Sequence, residues 1–218
     1  MPTCRAEAVM HNRESLNASY FDDVYAAAAD PWSFETSAYE QAKYAATMAA
    51  LPKRQFERAF EIGCSIGVLT ALLAPRCTEL WAIDVSDSAL HTARQRLAAL
   101  PQVHLQNMTV PSEYPDGSFD LVVLSEVGYY WSAADLRWAS QRIVASLRDG
   151  ATLVMVHWTP VVDDYPLTGD AVHQHFLNLH TDQPASHRTG QRTLHRLVAQ
   201  RESTYRLDVF ECAHARVE

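Results

Sequence analysis

From residue 58 onward the chain alternates short apolar runs with amphipathic stretches of about 10 to 16 residues, and few folds accept that pattern. A short apolar run bounded by turn signals reads as a strand buried on both faces. The amphipathic stretch after it reads as the helix that carries the chain back over the sheet. Strands are expected over 59–63, 80–85, 103–108, 119–125 and 151–158. A helix is expected over 67–75, and a second follows Ser86 with Leu90, Ala93, Leu97 and Leu100 on one face. A third opens at Ser132 with Leu136, Ala139, Ile143 and Leu147. The predicted class is α/β, a Rossmann-like, mostly parallel central sheet flanked by helices.

The chain has 218 residues, enough for one full-sized core and short for two, so one domain is expected over 1–218. It divides into an N-terminal helical cap (1–57), a core (58–158) and a C-terminal segment (159–218). The cap is rich in aromatics, among them Tyr20, Phe21, Tyr25, Trp32, Phe34, Tyr39 and Tyr44. Asp30-Pro31 breaks it, because proline disfavours helix at the residue before it, and a helix over 35–51 follows. After Pro160 a polar, histidine-rich segment reaches about residue 188. A basic helix to about Gln200 and a last strand over 205–212 complete the reading.

Eighteen basic against twenty-six acidic residues give a charge of −8, which repels phosphate and gives no reason to expect nucleic acid or an anionic membrane as partner. Residues 1–15 lack the apolar core of a signal peptide, and no stretch reaches the ~18 apolar residues of a membrane-spanning helix. Four scattered cysteines, Cys4, Cys64, Cys77 and Cys212, fit a reducing compartment. A soluble cytoplasmic protein is expected, with its oligomeric state open.

The first strand ends in Glu61-Ile62-Gly63-Cys64-Ser65-Ile66-Gly67. A glycine-rich turn in this place serves either a dinucleotide or S-adenosylmethionine. The dinucleotide fingerprint G-x-G-x-x-G is not met, since the glycines are four apart. S-adenosylmethionine needs close backbone approach for its methionyl part, an acceptor for its ammonium and a carboxylate for its ribose. Gly63 and Gly67, with Ser65 between them, answer the first need, and Glu61 the second. Asp84 and Val85, at the end of the second strand, answer the third. Asn107 and Met108 stand where adenine would lie, and Ser125 and Glu126 open the reaction mouth. Taken singly, Gly63 is a turn glycine, Asp84 a helix cap and Met108 core. Four strand ends agreeing in order favour the nucleoside site.

E-I-G-C-S-I-G, W-A-I-D and S-E-V-G-Y-Y resemble the motifs of class I S-adenosylmethionine-dependent methyltransferases. That resemblance implies Glu61, Gly63, Gly67 and Asp84 as cofactor residues. F-D-D-V-Y, D-P-W-S-F-E-T-S-A-Y-E-Q-x-K-Y and F-D-L-V-V-L-S-E-V-G-Y-Y are more specific. On them the chain resembles the NodS family of rhizobial nodulation proteins over about residues 20 to 212. This second resemblance implies N-methylation of the free amine on the non-reducing glucosamine of a de-N-acetylated chitooligosaccharide, with S-adenosylhomocysteine as by-product. Two departures stand out: Ser65 replaces a usual glycine, and one strand is legible after residue 190 where the class has two.

On the acceptor side only a neutral amine attacks a sulfonium methyl, so a proton acceptor near the mouth is sought. Glu126 and His157, at the ends of the fourth and fifth strands, are the candidates. Tyr129, Tyr130 and Trp131 offer aromatic faces for a sugar, or else anchor the next helix in the core. Trp32, with Tyr20 and Tyr39, is expected to fold the cap over the cofactor. Asp163 and Asp164 read as a solvated loop, or else as a local field that attracts a glucosammonium ion. His173, His175 and His180 are close in sequence, but on a helix His175 points away from the other two, and no metal is expected.

Overall fold

A computed structural model describes residues 14–179 and 192–214. The cap supplies α1 (Ala18–Ala27) and α2 (Ala38–Ala50). Asn17 accepts from the Tyr20 N–H and Ser37 from the Glu40 N–H, so each helix has a side-chain N-cap. Between them the Asp30 carboxylate accepts from the N–H groups of Phe34 and Glu35, fixing the turn at the proline.

The core runs β1 (Phe56–Ile62), α3 (Val68–Leu73), β2 (Cys77–Asp84), α4 (Asp87–Arg96), β3 (Val103–Asn107), β4 (Phe119–Ser125), α5 (Ala133–Ser146) and β5 (Leu147–Trp158). Then come α6 (Gly169–Asn178), β6 (Arg192–Arg201) and β7 (Tyr205–His214). The strands form one sheet in the order β3-β2-β1-β4-β5-β7-β6. The first five are mutually parallel, and β7 pairs antiparallel with both β5 and β6.

Both faces of the sheet are covered over its central strands, which is why β4 and β5 carry near-continuous apolar runs, whereas the edge strands β3 and β6 are partly exposed. Alternation along β4 shows the two sides. Val122 and Leu124 pack with Leu136, Ala139 and Ile143 of α5, while Leu121 and Val123 pack with Tyr44, Leu69 and Leu73 of α2 and α3. Each fully buried side chain of this size contributes roughly 1.5–3 kcal/mol. Because β1 lies between β2 and β4, the chain reverses its direction of progress across the sheet there. A crevice therefore opens beyond the carboxyl ends of β1 and β4.

The five core strands form where the apolar runs placed them, with β1, β2 and β5 beginning three or four residues earlier than expected. Leu147, expected on the face of the third helix, is the first residue of β5. Within the histidine-rich segment, expected to be irregular, Thr168 caps the helix α6. The expected basic helix ending near Gln200 is instead the strand β6, paired with β7 from Arg192↔His214 to Arg201↔Arg206. Its Leu194, Leu197 and Gln200 have helical spacing, but pairing with β7 decides the outcome, and Leu197 projects to solvent where the register shifts. The sheet therefore has two strands beyond residue 190. Among the described residues no helix is long and apolar enough to cross a membrane.

Candidate active site

A cavity of about 580 Å³ occupies the crevice, floored by the ends of β1, β2 and β4 and roofed by the cap. At one end β1 delivers Glu61 and then turns at Gly63, whose φ is +76°. A Cβ on Gly63 would lie 2.2 Å from Val127 Cγ2. Gly63→Ala should therefore cost about 1–3 kcal/mol from the left-handed backbone and the displaced Val127. Equilibrium denaturation measures this, and an unchanged midpoint would contradict it.

The same turn is tied to β2. The Ser65 N–H donates to Asp84 Oδ2 at 2.8 Å and the Ser86 N–H to Asp84 Oδ1 at 3.0 Å. Burial nevertheless leaves the Asp84 carboxyl above its usual range. Glu61 is buried beside it, and its Oε2 has no hydrogen-bond partner. Burial pushes its carboxyl up to about 7, opposed by the Thr70 hydroxyl and reinforced by Asp84. An unpartnered buried carboxylate oxygen costs free energy that an N–H donor with a positive charge would recover.

At the other end Glu126, at φ +58°, directs its carboxylate into a cluster of donors. Lys43 Nζ lies 2.6 Å from Oε1, while the Tyr129 hydroxyl and the Trp158 N–H reach Oε2 at 2.6 and 2.8 Å. Lys43 also pairs with Glu40 at 2.9 Å. Burial would lower the Lys43 ammonium, but Glu126 and Glu40 outweigh it and hold its pKa above the usual lysine range. Two carboxylates around one ammonium leave one net negative charge here. Tyr39, Trp158 and Tyr165 line the cavity around it, with the Tyr165 ring stacked 5.0 Å from that of Tyr129. The roof is formed by Tyr25, whose hydroxyl meets Ser65 Oγ at 2.5 Å, and by Trp32 stacked on Phe34.

One cavity thus joins two carboxylates suited to a cationic nucleoside derivative with an acidic, aromatic-walled mouth. The family model for Nodulation protein S (NodS) matches residues 22–159. The chain belongs to the NodS family. Nodulation protein S of Bradyrhizobium diazoefficiens is 32% identical over 128 residues, covering 57% of this chain and 61% of that one. The Sinorhizobium fredii protein of the same name is also 32% identical, over 59% and 60%. The chain thus spans about three fifths of the length of these curated relatives. The crystal structure of the N-methyltransferase NodS from Bradyrhizobium japonicum, in complex with S-adenosylhomocysteine, superposes with a TM-score of 0.74. It covers 90% of this chain and 98% of that one at 23% identity, a likeness of fold. The fold is the Rossmann-like one of class I methyltransferases.

Of the residues expected in the site, Trp32, Glu61, Gly63, Ser65, Asp84, Val85, Met108, Ser125, Glu126, Tyr129, Tyr130 and Trp131 line the cavity. Tyr129, Tyr130 and Trp131 are also buried, so lining and anchoring coincide in them. Four others do not line it. Gly67 caps α3 at φ +80°, and a Cβ there would meet Leu97 at 2.9 Å, so its role is to seat the turn against α4. Asn107 is exposed and its side-chain amide donates to the Val85 carbonyl, while Met108 directly after it lines the cavity. Tyr20 is half-buried and packs edge-on against Phe21, close to Asp164 and Tyr165. His157 is fully buried, and its Nε2 accepts from the Gly128 N–H. It stands beneath the mouth, with no ring nitrogen left for an acceptor.

His173 is buried and bonded to His157 and Asp208, and His175 bonds Ser140; His180 lies outside the described residues. Among the described residues no group of three or more His, Cys, Asp or Glu is placed to hold a metal. Lys43, Glu40 and Tyr25 were missed. Glu40 and Lys43 are three apart on a helix, the usual look of a surface pair. The available signal was their place among Tyr39, Tyr44 and Thr47 on the inner side of α2.

Proposed function

We propose that this chain is an S-adenosylmethionine-dependent N-methyltransferase acting on the free amine of the non-reducing terminal glucosamine of a deacetylated chitooligosaccharide. The observation that carries the reading is the pairing, in one cavity, of the Glu61–Asp84 end with the Glu126–Lys43–Glu40 mouth. Membership of the NodS family supports it. A single domain combining cap, core and C-terminal segment, working in the cytoplasm without nucleic acid, goes with it.

When bound, the cofactor supplies an electrophilic methyl. Asp84 would accept from the ribose hydroxyls and Glu61 from the ammonium, while Met108 and Val85 would give the adenine an apolar bed. The net negative mouth draws an aminosugar in as its ammonium ion. Glu126 accepts three hydrogen bonds from the protein, and a carboxylate has about four lone-pair sites, so one remains for the substrate N–H. It can orient the amine and take its proton before transfer. With the lone pair aligned on the methyl, positioning supplies most of the acceleration. Tyr39, Trp158 and Tyr165 offer aromatic faces to the apolar C–H faces of the sugar.

The reading has a pH consequence. The free protein holds a proton on Glu61 below about pH 7, and an ammonium ligand requires the carboxylate. S-adenosylhomocysteine affinity should fall by up to about tenfold per unit as pH drops from 7, with proton release on binding. By the same linkage the raised pKa stabilises the free protein towards acid, and that gain is lost as pH rises through 7. Calorimetry at about pH 6, 7 and 8 in buffers of different ionisation heat measures the binding effect; affinity that rises towards acid would contradict it.

Side-by-side assay of deacetylated and fully N-acetylated chitooligosaccharides tests the acceptor. Transfer to the free amine alone is expected, and equal transfer to both would overturn the assignment.

A further inference from the structure

Behind the mouth lies a buried polar chain that the proposed transfer does not use. His157 of β5, His173 of α6 and Asp208 of β7 are all fully buried. The Gly128 N–H donates to His157 Nε2 at 3.1 Å. His157 Nδ1 lies 3.1 Å from His173 Nε2, and His173 Nδ1 lies 2.7 Å from Asp208 Oδ2. A backbone N–H can only donate, so His157 carries its proton on Nδ1 and donates that N–H to the His173 Nε2 lone pair. His173 in turn carries its proton on Nδ1 and donates to Asp208. One direction of hydrogen bonding, and one pair of tautomers, accounts for all three contacts.

We propose that His157, His173 and Asp208 are a positioning relay that fixes the acceptor loop 126–130 through the Gly128 N–H. This rests on the reading of Glu126 as the acceptor-side carboxylate. Apolar side chains of similar volume would fill this space without desolvating two imidazoles and a carboxylate, so the network contributes geometry in place of cheap packing.

The loop needs that geometry. Glu126 has a left-handed backbone, costly by about 1–3 kcal/mol for a non-glycine residue, which persists only where the surroundings over-determine it. Gly128 seats the loop on the ring, since a Cβ there would lie 3.0 Å from His157 Nε2 and 2.6 Å from Val172 Cγ1. Two residues from Gly128 in one direction is Glu126, and next to it in the other is Tyr129, whose hydroxyl holds the Glu126 carboxylate.

The far end is anchored by charge. Burial would raise Asp208, but the His173 N–H and the Arg206 and Arg196 guanidiniums outweigh it and keep the carboxyl below its usual range. Burial keeps both imidazoles neutral, lowering His157 strongly and His173 against the pull of Asp208. The relay ends on a backbone amide, which does not pass protons onward, so it positions and does not conduct.

The test joins kinetics with a spectrum. In Asp208→Asn and His157→Gln, kcat/KM for deacetylated chitooligosaccharide should fall about 10- to 100-fold, the effect of a displaced acceptor site, while S-adenosylhomocysteine affinity stays within about twofold. Folded variants with unchanged kcat/KM would overturn the proposal. For variants that do not fold, imidazole 15N spectra of the wild-type protein decide. Neutral Nδ1–H tautomers at both His157 and His173 are expected, and an Nε2–H tautomer or a protonated ring at either would overturn it. A wild-type protein that transfers no methyl to this acceptor would sink the functional reading, and the spectrum would still judge the relay separately.

Discussion

Asp84→Ala should weaken S-adenosylhomocysteine binding by about 10²- to 10⁴-fold in calorimetric titration. Two hydrogen bonds from ribose hydroxyls to a charged acceptor, at roughly 1.5–3 kcal/mol each, amount to about 3–6 kcal/mol, and each 1.4 kcal/mol is a factor of ten. The structure adds a second route to the same loss. Asp84 also accepts from the Ser65 and Ser86 N–H groups, so its removal frees the turn that lines the cavity at Ser65, itself at φ +51°. Asp84→Asn keeps the shape and one acceptor oxygen, and should fall between wild type and Ala. An alanine variant that binds within threefold or so of wild type would remove Asp84 from the site.

The second large effect is expected at Lys43. Its side chain is 3% exposed and stands between Glu40 and Glu126, so Lys43→Met leaves two adjacent carboxylates without a counter-charge. Breaking a buried pair by removing one partner costs about 3–5 kcal/mol, far above the ~0–1 kcal/mol of a surface pair. The sign with pH follows from the carboxylates. Burial already holds the Glu40 carboxyl above its usual range, and removing the ammonium that opposes this raises it further, so the deficit should be widest near pH 8 and narrow towards pH 5. Urea denaturation across that range measures it, and adding Glu126→Gln to Lys43→Met should recover part of the loss. A loss below about 1 kcal/mol at pH 8 would mean that the pair is solvated.

A feature of this protein is legible in its sequence where the contacts that fix it are local. β1, β2, β4 and β5 announce themselves as apolar runs, because a sheet covered on both faces leaves no polar side to its strands. Glu61, Gly63 and Asp84 are legible because strand ends and their order place them together. Lys43 was hidden because its partner Glu126 is 83 residues away, whereas the local pair with Glu40 suggests a surface. His157 was misplaced for a related reason. The end of β5 is near the mouth, but its side chain points down towards α6, a helix obscured by the polar composition of 160–180. β6 shows the converse: its ten residues carry helical spacing, and only its partner β7 makes it a strand.

The most direct measurement is tandem mass spectrometry of a chitooligosaccharide deacetylated at its non-reducing end, after incubation with the protein and methyl-labelled S-adenosylmethionine. The predicted result is labelled methyl on the nitrogen of that terminal residue, with S-adenosylhomocysteine released in equal amount. Label on oxygen, or on another sugar of the chain, would contradict the account, as would cofactor binding with no transfer to the amine.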